Sequence, residues 1–186
     1  MKFIKFFLYI IVCLIISIKA NSNDSLQSIL KEGGKIIFIR HAYAPGSGDP
    51  DNFDISDCST QRNLNAAGIK ESIIIGDFFE KNTIEVDRVL SSEWCRCKDT
   101  ATYAFKDFES KFFLNSFYSK KFSGNKSQQI KDLKDYIQRW DSKKNLVLIT
   151  HFVVISQVLN LSVTTAEIVV TDKELNVLAR KKIQNN

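Results

Sequence analysis

Residues 35–42 are KIIFIRHA and residues 145–151 are NLVLITH, and these two stretches indicate the fold class. In each, a short run of apolar residues ends next to a histidine, His41 or His151, and the chain contains no other histidine. Continuous apolar runs of this length indicate strands that are buried on both faces of a sheet. Both histidines are therefore predicted to follow buried strands at the same edge of the sheet.

Strands and helices alternate along the rest of the chain. The predicted strands are Lys35–Arg40, Val86–Ser91, Lys111–Leu114 and Asn145–Thr150, followed by a hairpin of Glu167–Thr171 and Leu175–Lys182 around Asp172 and Lys173. The predicted helices are Ala66–Lys81, capped by Asn65, then Cys95–Phe105, Lys126–Trp140 and Phe152–Leu161. This order predicts an α/β fold, a three-layer sandwich with a mostly parallel central sheet.

The first 20 residues have the pattern of an export signal. Lys2 and Lys5 precede the uncharged apolar run 6–18, and Ala20 is a small residue at the exit. The run is shorter than the ~20 residues of a typical spanning helix. We expect a signal peptide at 1–20 and one domain at 21–186. The alternative is an uncleaved N-terminal anchor.

The charge of the domain argues against nucleic acid as a partner. The whole chain has 26 basic and 21 acidic residues, a net charge of +5. Residues 1–20 contain three Lys and no acid, so the remaining 23 basic and 21 acidic residues give a net charge of +2. A nearly neutral domain has no broad electrostatic surface for a nucleic acid.

Three cysteines follow the signal segment: Cys58, Cys95 and Cys97. An exported domain allows a disulfide from Cys58 to either Cys95 or Cys97, and the sequence does not decide between them. The spacing of Cys95 and Cys97 is too short for a metal-binding pair, and no His lies beside them. We therefore expect no metal site.

The predicted strand ends bring together a set of residues suited to an anion. Arg40 precedes His41, and Arg96 falls in the first turn of the helix that follows the strand Val86–Ser91. A helix N-terminus with a nearby guanidinium is a favourable place for an anion. Two imidazoles and two guanidiniums suit a phosphoryl group, which carries about −1.5 to −2 charge at neutral pH.

Three segments resemble the motifs of the histidine phosphatase superfamily, which has the phosphoglycerate mutase-like fold. They are FIRHA at 38–42, SSEWCRCKDTA at 91–101 and LITH at 148–151, in the order that the family has them. The resemblance implies that His41 is a nucleophile that forms a phosphohistidine. It also implies that Arg40, Arg96 and His151 bind the phosphate, and that no cofactor or metal takes part.

Two further residues are candidates for substrate binding. Arg62 lies just before the first predicted helix and could reach the leaving-group side of the site. Ser47, in the long loop after His41, could donate a hydrogen bond to phosphate.

The proton donor is the least defined part of the site. Many members of the family place a Glu after the helix of the second motif, whereas residues 112–124 contain no acid. Asp57 is the first choice because it precedes the Arg62 segment. The weaker candidates are Asp49, Asp54, Glu93, Glu109 and Glu167. A substrate with a good leaving group, such as a phosphohistidine or an acyl phosphate, would need no acid.

Three functional hypotheses follow. The first is an exported, periplasmic phosphatase that hydrolyses phosphate monoesters of a small molecule or of an envelope component. The second is a binding module of the same fold that holds a phosphorylated ligand with little turnover. The third is a membrane-tethered interaction protein, which requires that the N-terminal segment is retained.

Overall fold

The computed structural model describes residues 22–183, so the predicted signal segment at 1–20 lies outside the described residues. Six strands form one mixed sheet: β1 Ile36–Arg40, β2 Val86–Ser91, β3 Glu109–Ser110, β4 Asn145–Thr150, β5 Ile168–Thr171 and β6 Val177–Lys181. Their order across the sheet is β3-β2-β4-β1-β5-β6. The first four strands of that order are mutually parallel, β5 is antiparallel to β1, and β6 is antiparallel to β5.

Helices cover both faces of the sheet: α1 Ser22–Lys31, α2 Ala66–Lys81, α3 Cys95–Phe105, α4 Lys126–Arg139 and α5 Phe152–Leu159. Side chains of α1, α2 and α3 pack in one core with Ile37 and Val147, whereas α4 and α5 pack in a second core with Phe38 and Leu148. Neighbouring strand residues point to opposite faces, so one strand supplies both cores. The predicted three-layer α/β sandwich is thereby confirmed.

The two central strands set the position of the site. Every residue of β4 is buried, and every residue of β1 is buried except the last, Arg40, which is half-buried. The two pair in parallel with Arg40 opposite Thr150, so the residue after each strand lies at the same edge of the sheet. No helix within the described range 22–183 is long and apolar enough to span a bilayer.

The helix α2 holds the loop that follows β1. Asn65 caps it as predicted, because its Oδ1 accepts a hydrogen bond from the Gly68 amide at 3.0 Å. A Cβ on Gly68 would lie 2.1 Å from the carbonyl oxygen of Tyr43. Only a glycine therefore allows α2 to approach the backbone just beyond His41.

Two of the element predictions need correction. The predicted strand Lys111–Leu114 is wrong: the strand is Glu109–Ser110, and Phe112–Leu114 forms a turn of 3-10 helix. Within that turn Leu114 is fully buried and Phe113 packs against the second core, whereas Phe112 is exposed. The helix α1 is not among the predicted elements, although Leu26 and Leu30 are fully buried. The terminal hairpin is confirmed, with slightly shorter strands.

Candidate active site

His41 and His151 lie side by side at the edge of the sheet. The backbone N–H of His41 donates to the carbonyl of Thr150 at 2.9 Å, which continues the ladder between β1 and β4 by one residue. The two ring centroids are 5.4 Å apart, and each residue is only 3% exposed. The structure therefore brings the two predicted histidines together.

His41 is held with one nitrogen ready to react. Its Nδ1 lies 2.8 Å from the carbonyl oxygen of Ala42 and must donate, because that oxygen can only accept. In the neutral ring, Nε2 then carries the free electron pair. Burial lowers the pKa of His41 well below its usual value, and the positive charges of Arg96, Arg40 and Arg62 lower it further. At neutral pH the ring is therefore uncharged, and the electron pair of Nε2 is not taken up by a proton.

The backbone around His41 is fixed from the side of α3. The Ala42 N–H donates to Oγ1 of Thr100 at 3.0 Å, and the Thr100 hydroxyl donates to the carbonyl of Arg96 at 2.7 Å. The segment after β1 is thereby tied to the helix that carries Arg96.

His151 is oriented by a chain of polar side chains. The Ser92 hydroxyl donates to Oδ1 of Asn115 at 3.0 Å, so the Nε2 of His151, 2.9 Å from that hydroxyl oxygen, donates to it. Asn115 donates in turn to a carboxylate oxygen of Glu93. Burial and then the charge of Arg96 lower the pKa of His151 well below its usual value. His151 is thus neutral, and its Nδ1 is the nitrogen left for a ligand.

Arg96 occupies the first turn of α3 and is 3% exposed. Its Nη1 and Nη2 donate to the two carboxylate oxygens of Asp49 at 2.7 and 3.2 Å, and Nη1 also donates to the Arg62 carbonyl at 3.3 Å. Its Nε is buried and has no hydrogen-bond partner within the described residues. The Nε donor of this buried guanidinium is therefore left without a partner among the described residues.

Arg40 and Arg62 complete the positive wall. Arg40 donates from Nη1 to the Val163 carbonyl at 2.9 Å, and its Nε is a second buried donor that lacks a partner in the described part of the chain. The side chain of Arg62 donates to the carbonyls of Gly48 and Ala44. Arg62 therefore supports the loop after β1 as well as facing the site.

These side chains surround one cavity of about 420 Å³. The loops 46–53 and 116–122 form its rim. Its lining consists of Arg40, His41, Gly46, Ser47, Gly48, Asp49, Pro50, Asp51, Phe53, Arg62, Trp94, Arg96, Ser116, Tyr118, Ser119, Lys121, Phe122, His151, Phe152 and Val153. The volume is sufficient for a small phosphorylated compound. All the predicted phosphate-binding residues line it, as does the exposed Ser47.

The structure does not bring Asp57 to this cavity. Asp57 is exposed and caps the 3-10 turn Cys58–Thr60, where its Oδ1 accepts from the Ser59 N–H at 2.9 Å. Asp54 serves a similar turn through Ser56. The first choice for the proton donor is therefore not supported by its position.

The predicted glutamate candidates also lie outside the cavity lining. Glu109 is exposed at the edge of the sheet and pairs with Lys111 and Arg88. Burial alone would raise the pKa of Glu167, but hydrogen bonds from Thr164 and Arg180 outweigh it and lower the pKa. Glu93 accepts a hydrogen bond from Asn115, at the far end of the series of hydrogen bonds that begins at His151.

One of the weaker candidates from the sequence, Asp49, does line the cavity. Burial alone would raise its pKa, but hydrogen bonds and charge from Arg96, with donors from Arg62 and Trp94, hold the pKa below its usual range. An apolar cluster flanks it, in which the ring of Phe53 stacks on Trp94 at 5.0 Å and Phe122 meets Trp94 edge-on at 5.3 Å. Nothing in the spacing of the sequence identifies this cluster, since its members come from three separate segments.

The three cysteines among residues 22–183 form one disulfide and leave one buried thiol. The disulfide joins Cys58 and Cys95, which settles the alternative that the sequence leaves open. Cys97 is free, and burial raises the pKa of its thiol to about 12, so it is not a thiolate at neutral pH. Within the described residues, no cluster of three His, Cys, Asp or Glu side chains has the geometry of a metal site.

Comparison with known proteins gives matches among solved structures. No family model matches the chain, and no curated protein matches it. The structure of the protein histidine phosphatase SixA with tungstate matches with a TM-score of 0.53 and 16% identity, covering 77% of this chain and 92% of that one. A phosphoglycerate mutase from Thermus thermophilus matches with a TM-score of 0.58 and 15% identity, covering 81% and 99%.

A phosphoserine phosphatase variant from Entamoeba histolytica, in complex with phosphoserine, has a TM-score of 0.53 and 16% identity. The match covers 73% of this chain and 89% of that one. At these identities the neighbours establish the fold. The chain has the phosphoglycerate mutase-like fold, and the fold predicted from the sequence is confirmed.

Proposed function

We propose that this protein is a phosphatase that hydrolyses phosphate monoesters through a phosphohistidine on His41. One observation carries the proposal: a neutral, buried His41 lines the same cavity as Arg40 and Arg96, and the buried Nε donors of these two arginines have no partner within the described residues. A buried donor without a partner is costly unless a ligand satisfies it. A phosphoryl oxygen beside each donor would remove that cost.

The chemistry takes two steps. In the first, Nε2 of His41 attacks phosphorus, an N–P bond forms, and the P–O bond to the leaving group breaks in line with the attack. In the second, water attacks phosphorus, the N–P bond breaks, and inorganic phosphate leaves while His41 regains its electron pair. The guanidiniums of Arg40 and Arg96 stabilise negative charge on the equatorial oxygens in both steps.

His151 has a supporting role in this scheme. A phosphoryl dianion beside the ring would raise the pKa of His151, since an opposite charge nearby favours the charged form. The ring would then take up a proton from solvent at Nδ1, and this N–H would donate a hydrogen bond to a phosphoryl oxygen. The bond from Nε2 to Ser92 keeps the ring in the orientation that this requires.

The carboxylates of the cavity favour substrates whose leaving groups need no proton. Asp49 is ionised and occupied by four donors, and Asp51 is exposed at the rim. The lowered pKa of Asp49 is the opposite of the raised pKa that general acid catalysis requires. Phosphohistidine, acyl phosphate and aryl phosphate substrates fit this site better than alkyl phosphates do.

A second candidate function rests on the same observation. Without an effective proton donor, the site would bind a phosphorylated ligand through Arg40 and Arg96 and turn it over slowly. This is the binding module predicted from the sequence, and it uses the same cavity. In either case we propose a phosphorylated small molecule or envelope component as the partner.

We also propose that the protein is exported. The signal pattern of residues 1–20 motivates this, and the Cys58–Cys95 disulfide supports it because disulfides persist in oxidising compartments. Intact-mass analysis of the protein from its host tests the point. Loss of the first 20 residues would confirm cleavage, and their retention would instead favour the membrane-tethered form.

The test of the phosphatase proposal is hydrolysis of an aryl phosphate across pH 4–8 by the wild type, His41→Ala and Asp57→Asn. We expect turnover by the wild type and by Asp57→Asn, and essentially none by His41→Ala. Equal activity of the wild type and His41→Ala would overturn the mechanism. Tight phosphate binding without hydrolysis would favour the binding module.

A further inference from the structure

The carboxylate of Asp49 is bound by donors from three separate parts of the site. It accepts from Nη1 and Nη2 of Arg96, from the backbone N–H of Arg62 at 3.2 Å, and from the indole Nε1 of Trp94 at 3.1 Å. Its side chain is 18% exposed, whereas that of Arg96 is 4% exposed. A half-buried carboxylate with four donors has a fixed position and a fixed orientation.

The distribution of hydrogen bonds over Arg96 shows what this arrangement leaves free. A guanidinium has five N–H donors in a rigid plane. Both N–H groups of Nη1 are used, by Asp49 and by the Arg62 carbonyl, and one N–H of Nη2 is used by Asp49. The Nε–H and the second N–H of Nη2 remain, and these two lie parallel on one edge of the plane. Arg96 therefore keeps one complete two-pronged edge for an oxyanion.

The loop that carries Asp49 is itself restrained. Arg62 donates from its side chain to the carbonyls of Gly48 and Ala44, and Gly48 has a φ of +71°, a conformation that suits glycine. The side chain of Arg62 thus holds the loop just before Asp49, and its backbone N–H holds the Asp49 carboxylate itself. These contacts restrain Asp49 beside Arg96.

We propose that Asp49 is a positioning residue, which binds the Nη1–Nη2 edge of the Arg96 guanidinium so that the neighbouring Nε–Nη2 edge faces the phosphoryl group on His41. The inference rests on the proposed function. It assigns Asp49 neither the role of a proton donor nor that of an inhibitor that occupies the phosphate position. To act as a proton donor, Asp49 would have to be protonated and lose the four hydrogen bonds that its carboxylate accepts. To act as an inhibitor, it would have to cover the Nε edge of Arg96, which stays free.

The test compares Asp49→Asn with Asp54→Asn, using tungstate as the probe of binding and an aryl phosphate as the probe of turnover. Asp54 lies on the same loop, loses the same charge on substitution, and is exposed outside the cavity. We expect Asp49→Asn to weaken tungstate binding and to lower kcat/KM by about 10- to 100-fold, the range for outer partners of ligating residues. Asp54→Asn should match the wild type in both measurements.

A double-mutant cycle separates positioning from a general structural effect. In the background of Arg96→Lys, which lacks the planar two-pronged edge, Asp49→Asn should change tungstate affinity by less than about twofold, because Asp49 acts through Arg96. A full additional loss in that background would overturn the proposal. If Asp49→Asn does not fold, Asp49→Glu replaces it; that variant keeps the charge, displaces the carboxylate, and should also bind tungstate less tightly.

Two other outcomes are decisive. Tighter tungstate binding by Asp49→Asn would show that the carboxylate competes with the ligand, which overturns positioning and leaves the phosphatase proposal intact. Equal tungstate binding by Asp49→Asn and the wild type would also overturn the positioning role, without affecting the phosphatase proposal. If the wild type neither binds tungstate nor hydrolyses aryl phosphate, the phosphatase proposal and this inference both fail.

Discussion

The two neutral histidines make the stability of the fold depend on pH, and this dependence can be measured without knowing the substrate. His41 and His151 have folded-state pKa values well below the 6.5 of a free histidine. Below pH 6.5 the unfolded chain therefore binds more protons than the folded chain does. Because the free energy of unfolding decreases as the pH is lowered wherever that holds, acidification destabilises the protein.

The magnitude follows from the burial of the two rings. In the limit in which neither folded ring takes up a proton, each unfolded histidine contributes about 1.4 kcal/mol of destabilisation at pH 5.5 and almost none at pH 7.5. Together the two rings should lower the free energy of unfolding by about 3 kcal/mol between those pH values. Burial raises the pKa of the Glu71 and Asp99 carboxyls, which act in the opposite direction at lower pH.

Urea denaturation at both pH values is the assay, in buffers free of phosphate and other oxyanions. His41→Gln and His151→Gln isolate the two contributions, since each variant should lose about 1.4 kcal/mol less on acidification than the wild type does. A wild-type stability that is unchanged between pH 7.5 and 5.5 would refute the reasoning. So would a loss that both variants retain in full, because the proton uptake would then belong to other groups.

Three further predictions concern the support of the site. Asp57→Asn should leave kcat and thermal stability close to those of the wild type, because an asparagine also caps the turn; a large loss of kcat would make Asp57 the acid after all. Reducing the Cys58–Cys95 disulfide, which spans 37 residues, should lower the free energy of unfolding by about 4 kcal/mol, and an unchanged denaturation midpoint would contradict this. Gly68→Ala should destabilise the protein by about 1–3 kcal/mol, measured by thermal unfolding, because its Cβ would overlap the Tyr43 carbonyl; an unaltered melting temperature would show that α2 can shift freely.

The fold and the two histidines could be predicted because they depend on short-range patterns. A buried strand is a continuous apolar run, and its end is visible where the run stops, as it does before His41 and His151. Since adjacent parallel strands end at one edge, the sequence was sufficient to place the two rings together. Arg40 and Arg96 were predictable for the same reason, because each lies next to a strand end or a helix start.

The role of Asp49 could not be predicted because it depends on the path of a long loop. Residues 42–59 contain several Asp, and turn chemistry makes all of them plausible as solvated caps. Asp57 and Asp54 do serve as caps, whereas Asp49 is turned inward by contacts with Trp94 and Arg62, which come from other segments. No periodic pattern records such contacts.

The short strand β3 illustrates a different limit. The apolar residues at 112–114 indicate a strand by composition, but the two residues that pair with β2 are the exposed Glu109 and Ser110. At the edge of a sheet, pairing of the backbone alone is sufficient, so the side chains carry no strand signal. Of the apolar residues that follow, Phe113 and Leu114 pack in the core with α4, whereas Phe112 is exposed.

The most direct test of the proposed mechanism is to trap the phosphorylated enzyme. The protein would be mixed with an excess of aryl phosphate, stopped with alkali, which preserves a phosphohistidine, and analysed by peptide mass spectrometry. We predict one phosphorylated histidine, His41, that disappears when the substrate is exhausted and is absent in His41→Ala. Phosphate on His151, or turnover in which no phosphohistidine forms, would contradict the mechanism.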